Sequence, residues 1–344
     1  MQPQALIITG MHRSGTSIVA SFLREAGVDI GSDLLPPWAY NPGGYFEDRE
    51  FFDFEKNLIA SLNPPDSPAW HAIGWYDGDL NLELAMKCAE EARAILKKRM
   101  SRGATLWGWK DPRTVMLLDF WDRILPDANY VFVYRAPWDV MESFIESEQR
   151  FFQSEPLLPL KIWKRYNEKI LSFIEKAPSR CALISCSHVV ERPGSLVPLL
   201  QRRFDISLKD NGGSRHLTGS GVLREKGLSD PFVRLIARLD PQCLALLMKL
   251  EERADLKSGR DYSRLAEDRA DTLELTLSLC EETCTLRANL KRDRWLLDHE
   301  IYEEIARYRT YLAHLRQSKF WKLRALWFRL RRAIGLKTEI GDLE

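Results

Sequence analysis

The chain of 344 residues contains no run of about 18 apolar residues, so no membrane-spanning helix is expected. Met1 to Gly10 does not join a basic start to a long apolar core. No secretory signal is therefore expected, and the chain reads as cytoplasmic. A surplus of one charge is missing too. Fifty Lys and Arg stand against 49 Asp and Glu, and a formal net charge of +1 draws the whole chain to neither nucleic acid nor membrane. Its six cysteines are scattered, with Cys181–Cys186 and Cys280–Cys284 the nearest pairs. With no CxxC and no Cys/His cluster, neither a metal site nor a disulfide framework is expected, and reduced thiols fit better. Gly and Pro are absent from Arg260 to Ile334, and acidic residues are absent between Ile305 and Thr338.

What is present begins at Leu6. Leu6-Ile7-Ile8 reads as a buried strand, Gly10 to Ser17 (GMHRSGTS) as a loop, and Ile18, Val19, Phe22 and Leu23 as the face of a helix ending near Gly27. A strand, a glycine-bearing loop and a helix N-terminus make an anion cradle, because backbone N–H groups converge there with the positive end of the helix dipole. A Walker A loop would place Lys after its second Gly. Here Thr16 and Ser17 follow Gly15, and the cation is Arg13, inside the loop. Arginine can fork onto two oxygens of a phosphate or sulfate. The loop thus reads as a site for an anion held without a P-loop magnesium ion.

The chain then alternates. Helices are expected over Phe51–Leu62, Leu80–Met100, Val115–Leu125, Asp139–Glu148, Pro159–Lys176 and Gly194–Phe204. Strands are expected at Thr105–Lys110, Tyr130–Tyr134 and Cys181–Ser185. This order implies an α/β fold with a parallel sheet covered by helices on both faces. Such sheets bind ligands at the C-terminal ends of their strands. Arg135 leaves one such end and Ser143 follows on the next helix, where the two could meet one phosphate from two sides.

Met11 to Ser17 resembles the 5′-phosphosulfate loop of the sulfotransferases that use PAPS (3′-phosphoadenosine 5′-phosphosulfate), and Tyr130 to Phe144 resembles their 3′-phosphate segment. Trp109-Lys110-Asp111-Pro112 looks like the Lys-Asp-Pro element of tyrosylprotein sulfotransferases and bacterial relatives. The resemblance spans roughly residues 4 to 205 and implies a P-loop-like sulfotransferase fold. It implies in-line sulfuryl transfer from PAPS, as co-substrate, to a hydroxyl, without metal. Arg13 and Lys110 would hold the phosphosulfate. Ser14, Gly15, Thr16 and Ser17 would line the 5′-phosphate, and Arg135 and Ser143 the 3′-phosphate. Two cationic strand ends about 120 residues apart suit a nucleotide phosphorylated at both positions. Glu47 is the implied general base, with Asp48 and His71 as rivals. One departure concerns the place where relatives often carry Tyr-Glu: here it reads Ser185-Cys186-Ser187-His188.

The loops around Gly31–Asp48 and Asn63–Asp79 carry Trp38, Tyr40, Tyr45, Trp70, Trp75 and Tyr76. Aromatics can stack on sugar rings, so a glycan or glycoconjugate acceptor is expected and nucleic acid is not. Gly212 to Gly227 reads as a basic loop, and Pro231–Leu256 as helical with a break at Pro241. Three parts are expected: a sulfotransferase domain over 1–258, a long helix or helical hairpin over 259–318, and a basic aromatic amphipathic tail over 319–344. Leu286, Leu290, Leu297, Ile301, Ile305, Tyr308, Leu312 and Leu315 share one helical face, although Arg287 and Arg294 interrupt a strict coiled-coil heptad. The tail, SKFWKLRALWFRLRR, suits either a peripheral position at the inner membrane face or a partner groove, and the long helix suits either docking on the domain or self-association. Two other readings stay open: a P-loop nucleotide kinase or NTPase lacking the Walker lysine, and a non-catalytic nucleotide-binding scaffold.

Overall fold

Apolar runs flanked by turn-forming residues become four parallel strands: β1 (Gln4–Gly10), β2 (Leu106–Trp107), β3 (Asn129–Tyr134) and β4 (Cys181–Ser185), in the order β2-β1-β3-β4. This is the arrangement in a computed structural model, which describes residues 3–37, 43–63, 73–74, 79–146, 157–209 and 226–267. Trp38, Tyr40, Trp70, His71, Trp75 and Tyr76, nearly all of the basic Gly212–Gly227 loop, the chain after residue 267 and the 319–344 tail lie outside them. The chain divides into two compact units, Met1–Leu275 and Thr276–Glu344, and all of the described residues belong to the first.

In the register, Ile7 lies opposite Tyr130 and Val131 opposite Ala182. Side chains alternate across a strand, so each strand supplies both faces. Leu6, Ile8, Val131, Val133, Ala182 and Ile184 point to one core; Ile7, Tyr130, Phe132 and Leu183 point to the other. Such residues on both faces require helices on both, and the chain supplies them. After β1 come α1 (Thr16–Glu25), α2 (Arg49–Leu62), α3 (Leu82–Ala85) and α4 (Ala89–Met100). Between β2 and β3 runs α5 (Leu118–Ile124), and between β3 and β4 run α6 (Pro137–Glu146) and α7 (Leu158–Lys176). Then follow α8 (Cys186–Glu191), α9 (Leu196–Phe204), α10 (Pro231–Leu239), α11 (Pro241–Arg253) and α12 (Ser263–Glu267). α1 and α9 cover the first face with Val19, Leu23, Leu196 and Leu200. α2, α5 and α7 cover the second with Phe51, Trp121, Trp163 and Phe173.

Two expected helices differ in detail. Met86–Cys88 is a tighter 3₁₀ turn that joins α3 to α4, so Leu80–Met100 is not one helix. Over a single turn, apolar spacing does not separate 3.0 from 3.6 residues per turn. The helix expected from Val115 starts instead as a 3₁₀ turn, Pro112–Leu117, and becomes α-helical at Leu118. Asp111 caps that turn by accepting from the Arg113 N–H at 2.8 Å. All six residues of the turn are buried, so packing governs its geometry.

Candidate active site at the strand ends

The C-terminal ends of β1, β3 and β4 converge because the strands are parallel. Gly10 closes β1 where a Cβ would sit 2.2 Å from the Val133 carbonyl oxygen, so only glycine allows β3 this close. Gly15 caps α1 in the left-handed region, with φ of 87°. A Cβ there would stand 1.9 Å from Cys186 Sγ. The departure at Ser185-Cys186-Ser187-His188 thus has a structural part: Cys186, the first residue of α8, packs against the anion loop. His188 turns elsewhere, its Nδ1 lying 2.7 Å from the Lys257 carbonyl. Arg13 itself has φ of 66°, unusual for a residue with a side chain.

The two halves of the expected anion site touch. Arg13 Nε donates to Ser143 Oγ at 2.8 Å, and Arg135 donates to the Arg13 carbonyl at 3.3 Å. Trp163 of α7 donates its indole N–H to the Arg135 carbonyl at 2.9 Å, which pins the end of β3. Ser14 Oγ is buried with no partner among the described residues. Ser17 Oγ donates to the Tyr45 carbonyl at 3.2 Å, tying α1 to the Gly31–Asp48 loop. Thr16 is buried at the start of α1, its methyl toward Gly10.

Lys110 follows β2 and bridges to Ile8 of β1, so its side chain arises beside the loop. Lys110 Nζ donates to Glu47 Oε1 at 2.7 Å, and the two side chains are only 2% and 6% exposed. Glu47 is held in place from its backbone: its carbonyl accepts from the Leu35 N–H at 2.8 Å, and Phe46 before it has φ of 57°. Asp48, a rival as base, also has structural work. It caps α2 through the Glu50 N–H at 3.1 Å and faces buried Arg99 at 3.9 Å. Burial pushes the Asp48 carboxyl above its ordinary range, against the pull of Arg99. His71, the other rival, is outside the described residues.

Sequence reasoning did not single out the layer beneath. Asp111 Oδ1 and Oδ2 accept from Arg113 at 3.0 and 3.2 Å. Burial pushes the Asp111 carboxyl up to about 6 despite that partner. The Arg113 guanidinium lies 4.5 Å from the centre of the Phe52 ring, a cation–π contact. Below it, Glu55 Oε1 accepts from Thr114 Oγ1 at 2.6 Å and from Trp121 Nε1 at 2.9 Å, and Trp109 Nε1 donates to Thr114 at 3.1 Å. Burial, then the nearby Asp111 charge, holds the Glu55 carboxyl well above its ordinary range.

His12 shares the loop with Arg13. Its ring meets Tyr166 edge-on at 6.3 Å, and its Nε2 is buried without a partner among the described residues. Burial first, then Arg113, Lys110 and Arg13, hold its pKa well below the ordinary value, so the ring is neutral at pH 7. For an anionic ligand the arrangement offers Arg13, Lys110 and Arg135, the hydroxyls of Ser14 and Ser143, and the N-terminal amides of α1. These groups fit the two-ended phosphorylated nucleotide that the two motifs imply. A cavity of about 280 Å³ lies elsewhere, lined by Val115, Met116, Arg165, Lys169 and Phe173 among others, and none of the strand-end residues lines it.

A family model described as "Sulfotransferase family" matches residues 5–210. Several solved structures are similar to the chain, three of them as follows. One is the sulfotransferase domain of the Synechococcus PCC 7002 olefin synthase, at 14% identity, covering 81% of this chain and 94% of that one, with a TM-score of 0.38. Another is sulfotransferase STF1 from Mycobacterium tuberculosis H37Rv, at 15% identity over 61% and 69%, TM-score 0.38. The third is sulfotransferase STF9 from Mycobacterium avium, at 11% identity over 75% and 79%, TM-score 0.41. No curated protein matches.

Proposed function

The chain belongs to the sulfotransferase family, and from that premise we propose that it moves a sulfuryl group from PAPS to an acceptor hydroxyl by in-line displacement. The donor supplies a singly charged group on a phosphate leaving group, so the protein has mainly to position it and to answer its charge. In this reading Arg13 and Lys110 bind the phosphosulfate. Ser14, Gly15, Thr16 and Ser17 bind the 5′-phosphate through amides and hydroxyls, and Arg135 and Ser143 take the 3′-phosphate. Glu47 is the general base. While Lys110 holds it, the carboxylate is occupied. Lys110, drawn onto an anionic sulfuryl oxygen, releases Glu47 Oε1 to take the acceptor's proton.

The observation that carries this reading is the Arg13–Ser143 hydrogen bond of 2.8 Å, which joins two motifs 130 residues apart in one cationic cluster. The test is calorimetry with PAP, the desulfated donor. Arg13→Ala and Arg135→Ala should each lose at least tenfold in affinity, the charge-assisted hydrogen bond being worth about 1.5–3 kcal/mol, while the melting temperature stays near that of the parent. Unchanged affinity in both variants discards the reading. Magnesium-dependent ATP binding tighter than PAP binding would favour a P-loop NTPase, and PAP binding without turnover on any acceptor would favour a scaffold.

We assign the acceptor to the carbohydrates or glycoconjugates. Tyr45 supports this from the described residues, since it stands beside Glu47 and Arg13 closely enough for their charges to act on its hydroxyl. A panel of glycans assayed with labelled PAPS checks it, and label appearing only on tyrosyl peptides would overturn it. We place the enzyme in the cytoplasm, with its basic tail against a membrane.

A further inference from the structure

Among the described residues at the strand ends, His12 is mismatched to an anion and, unlike the carboxylates there, has a ring nitrogen with no partner. Arg13 adjoins it in the loop, Lys110 and Arg113 face it from the segment after β2, and Tyr166 packs on it from α7. The carboxylates near these cations already have partners: Glu47 is on Lys110 and Asp111 is on Arg113. The Ile73 carbonyl faces the ring and already accepts from the Tyr166 hydroxyl at 2.6 Å. A carbonyl can only accept, so the ring nitrogen that answers it carries the proton. Nε2 has no partner, so that nitrogen is Nδ1, and Nε2 is left as a buried lone pair. A lone pair there repels an anion. A protonated Nε2 would attract one, and a buried polar atom without a partner is costly until something satisfies it.

We propose that His12 and the donor nucleotide bind cooperatively with a proton: as the anion enters, the imidazole takes one proton from solvent onto Nε2, and Nε2–H donates to the anion. The inference rests on the donor reading above. Burial first and then three cations keep the ring neutral in the free protein, and the nucleotide's negative charges cancel the cations' share of that opposition as they reach Arg13 and Lys110. No covalent bond of the nucleotide is made or broken; the proton comes from the buffer and leaves again with the product.

The experiment is calorimetry of the full chain with PAP at about pH 7, in PIPES and in Tris, whose heats of ionisation differ. PAP phosphates also change protonation on binding, so the quantity read is the difference between the parent and His12→Gln, which cannot titrate. The parent should take up close to one proton more than the variant, and its PAP affinity should fall more steeply as pH rises. Equal proton counts in two proteins that both bind PAP overturn the proposal and leave the donor reading standing. No PAP binding by the parent overturns both. If His12→Gln fails to fold, ring ¹⁵N spectra of the parent decide. One of the six histidines changing from a neutral to an imidazolium pattern on PAP addition supports the proposal, and none changing overturns it.

Discussion

Lys110 and Glu47 form a buried ion pair at 2.7 Å, and such a pair is worth most when neither partner is left alone. Lys110→Met or Glu47→Gln alone should cost stability, with about 3–5 kcal/mol the expectation for the lysine variant, which leaves a buried carboxylate unpaired. The double variant should recover most of that loss in urea midpoints, while all three proteins lose at least about 100-fold in turnover. Glu55 gives a prediction in pH. Burial and the Asp111 charge raise its folded-state pKa well above 4.5. A carboxyl raised on folding binds its proton more tightly in the native state. Stability is therefore lost as pH climbs from the unfolded value toward the folded one. Glu55→Gln keeps an acceptor for Thr114 and Trp121 and removes that loss. Urea midpoints should move progressively in favour of the variant as pH climbs above the ordinary carboxylate range, with the Asp111 slope near 6 remaining in both proteins.

At the scale of elements, the turn from β1 into α1 depends on Gly15. Gly15→Ala should cost at least about 1–2 kcal/mol for the left-handed backbone, and the 1.9 Å approach to Cys186 Sγ adds to it. Cys186→Ala in the same chain should restore most of the steric share, the Cβ of residue 186 remaining 3.0 Å away, so the two changes should not be additive by thermal melts. This turn was legible in the sequence, as were β3, whose YVFVY run is apolar throughout, and the break between α10 and α11 at Pro241. The layer under Lys110 was not. Glu55 finds Thr114 59 residues away and Trp121 66 residues away, and no local pattern records a partnership at that distance. His12 stands in the sequence as one more residue of the loop, because nothing about its neighbours there reveals the three cations that face it in space. Val115–Leu117 reads as the start of an α-helix in the sequence because its apolar residues fit either period, and it belongs to the 3₁₀ turn instead.

Over the whole molecule, the core continues past the family match, which ends at residue 210. Val233, Leu247, Tyr262 and Leu265 join the same cluster as β3, and the Ser185 N–H donates to the Leu256 carbonyl at 2.8 Å, so a later segment covers the β4 edge. Whatever the remaining chain does, the basic tail makes one claim that can be measured. The full chain should co-sediment with vesicles containing phosphatidylserine, and a chain lacking 319–344 should not, with PAP affinity equal in both. Equal sedimentation of the two would remove the membrane proposal. The left-handed backbone of Arg13 has a wider consequence. With φ of 66° at a residue that carries a side chain, the fold tolerates a conformation that glycine would adopt with less strain. Replacing it with glycine gives up the hydrogen bond to Ser143 but relieves backbone strain of similar size, whereas alanine gives up the bond and keeps the strain. Heat resistance should therefore hardly register Arg13→Gly, and a variant library ranked by thermal tolerance alone would let the arginine proposed to hold the donor drift away unnoticed.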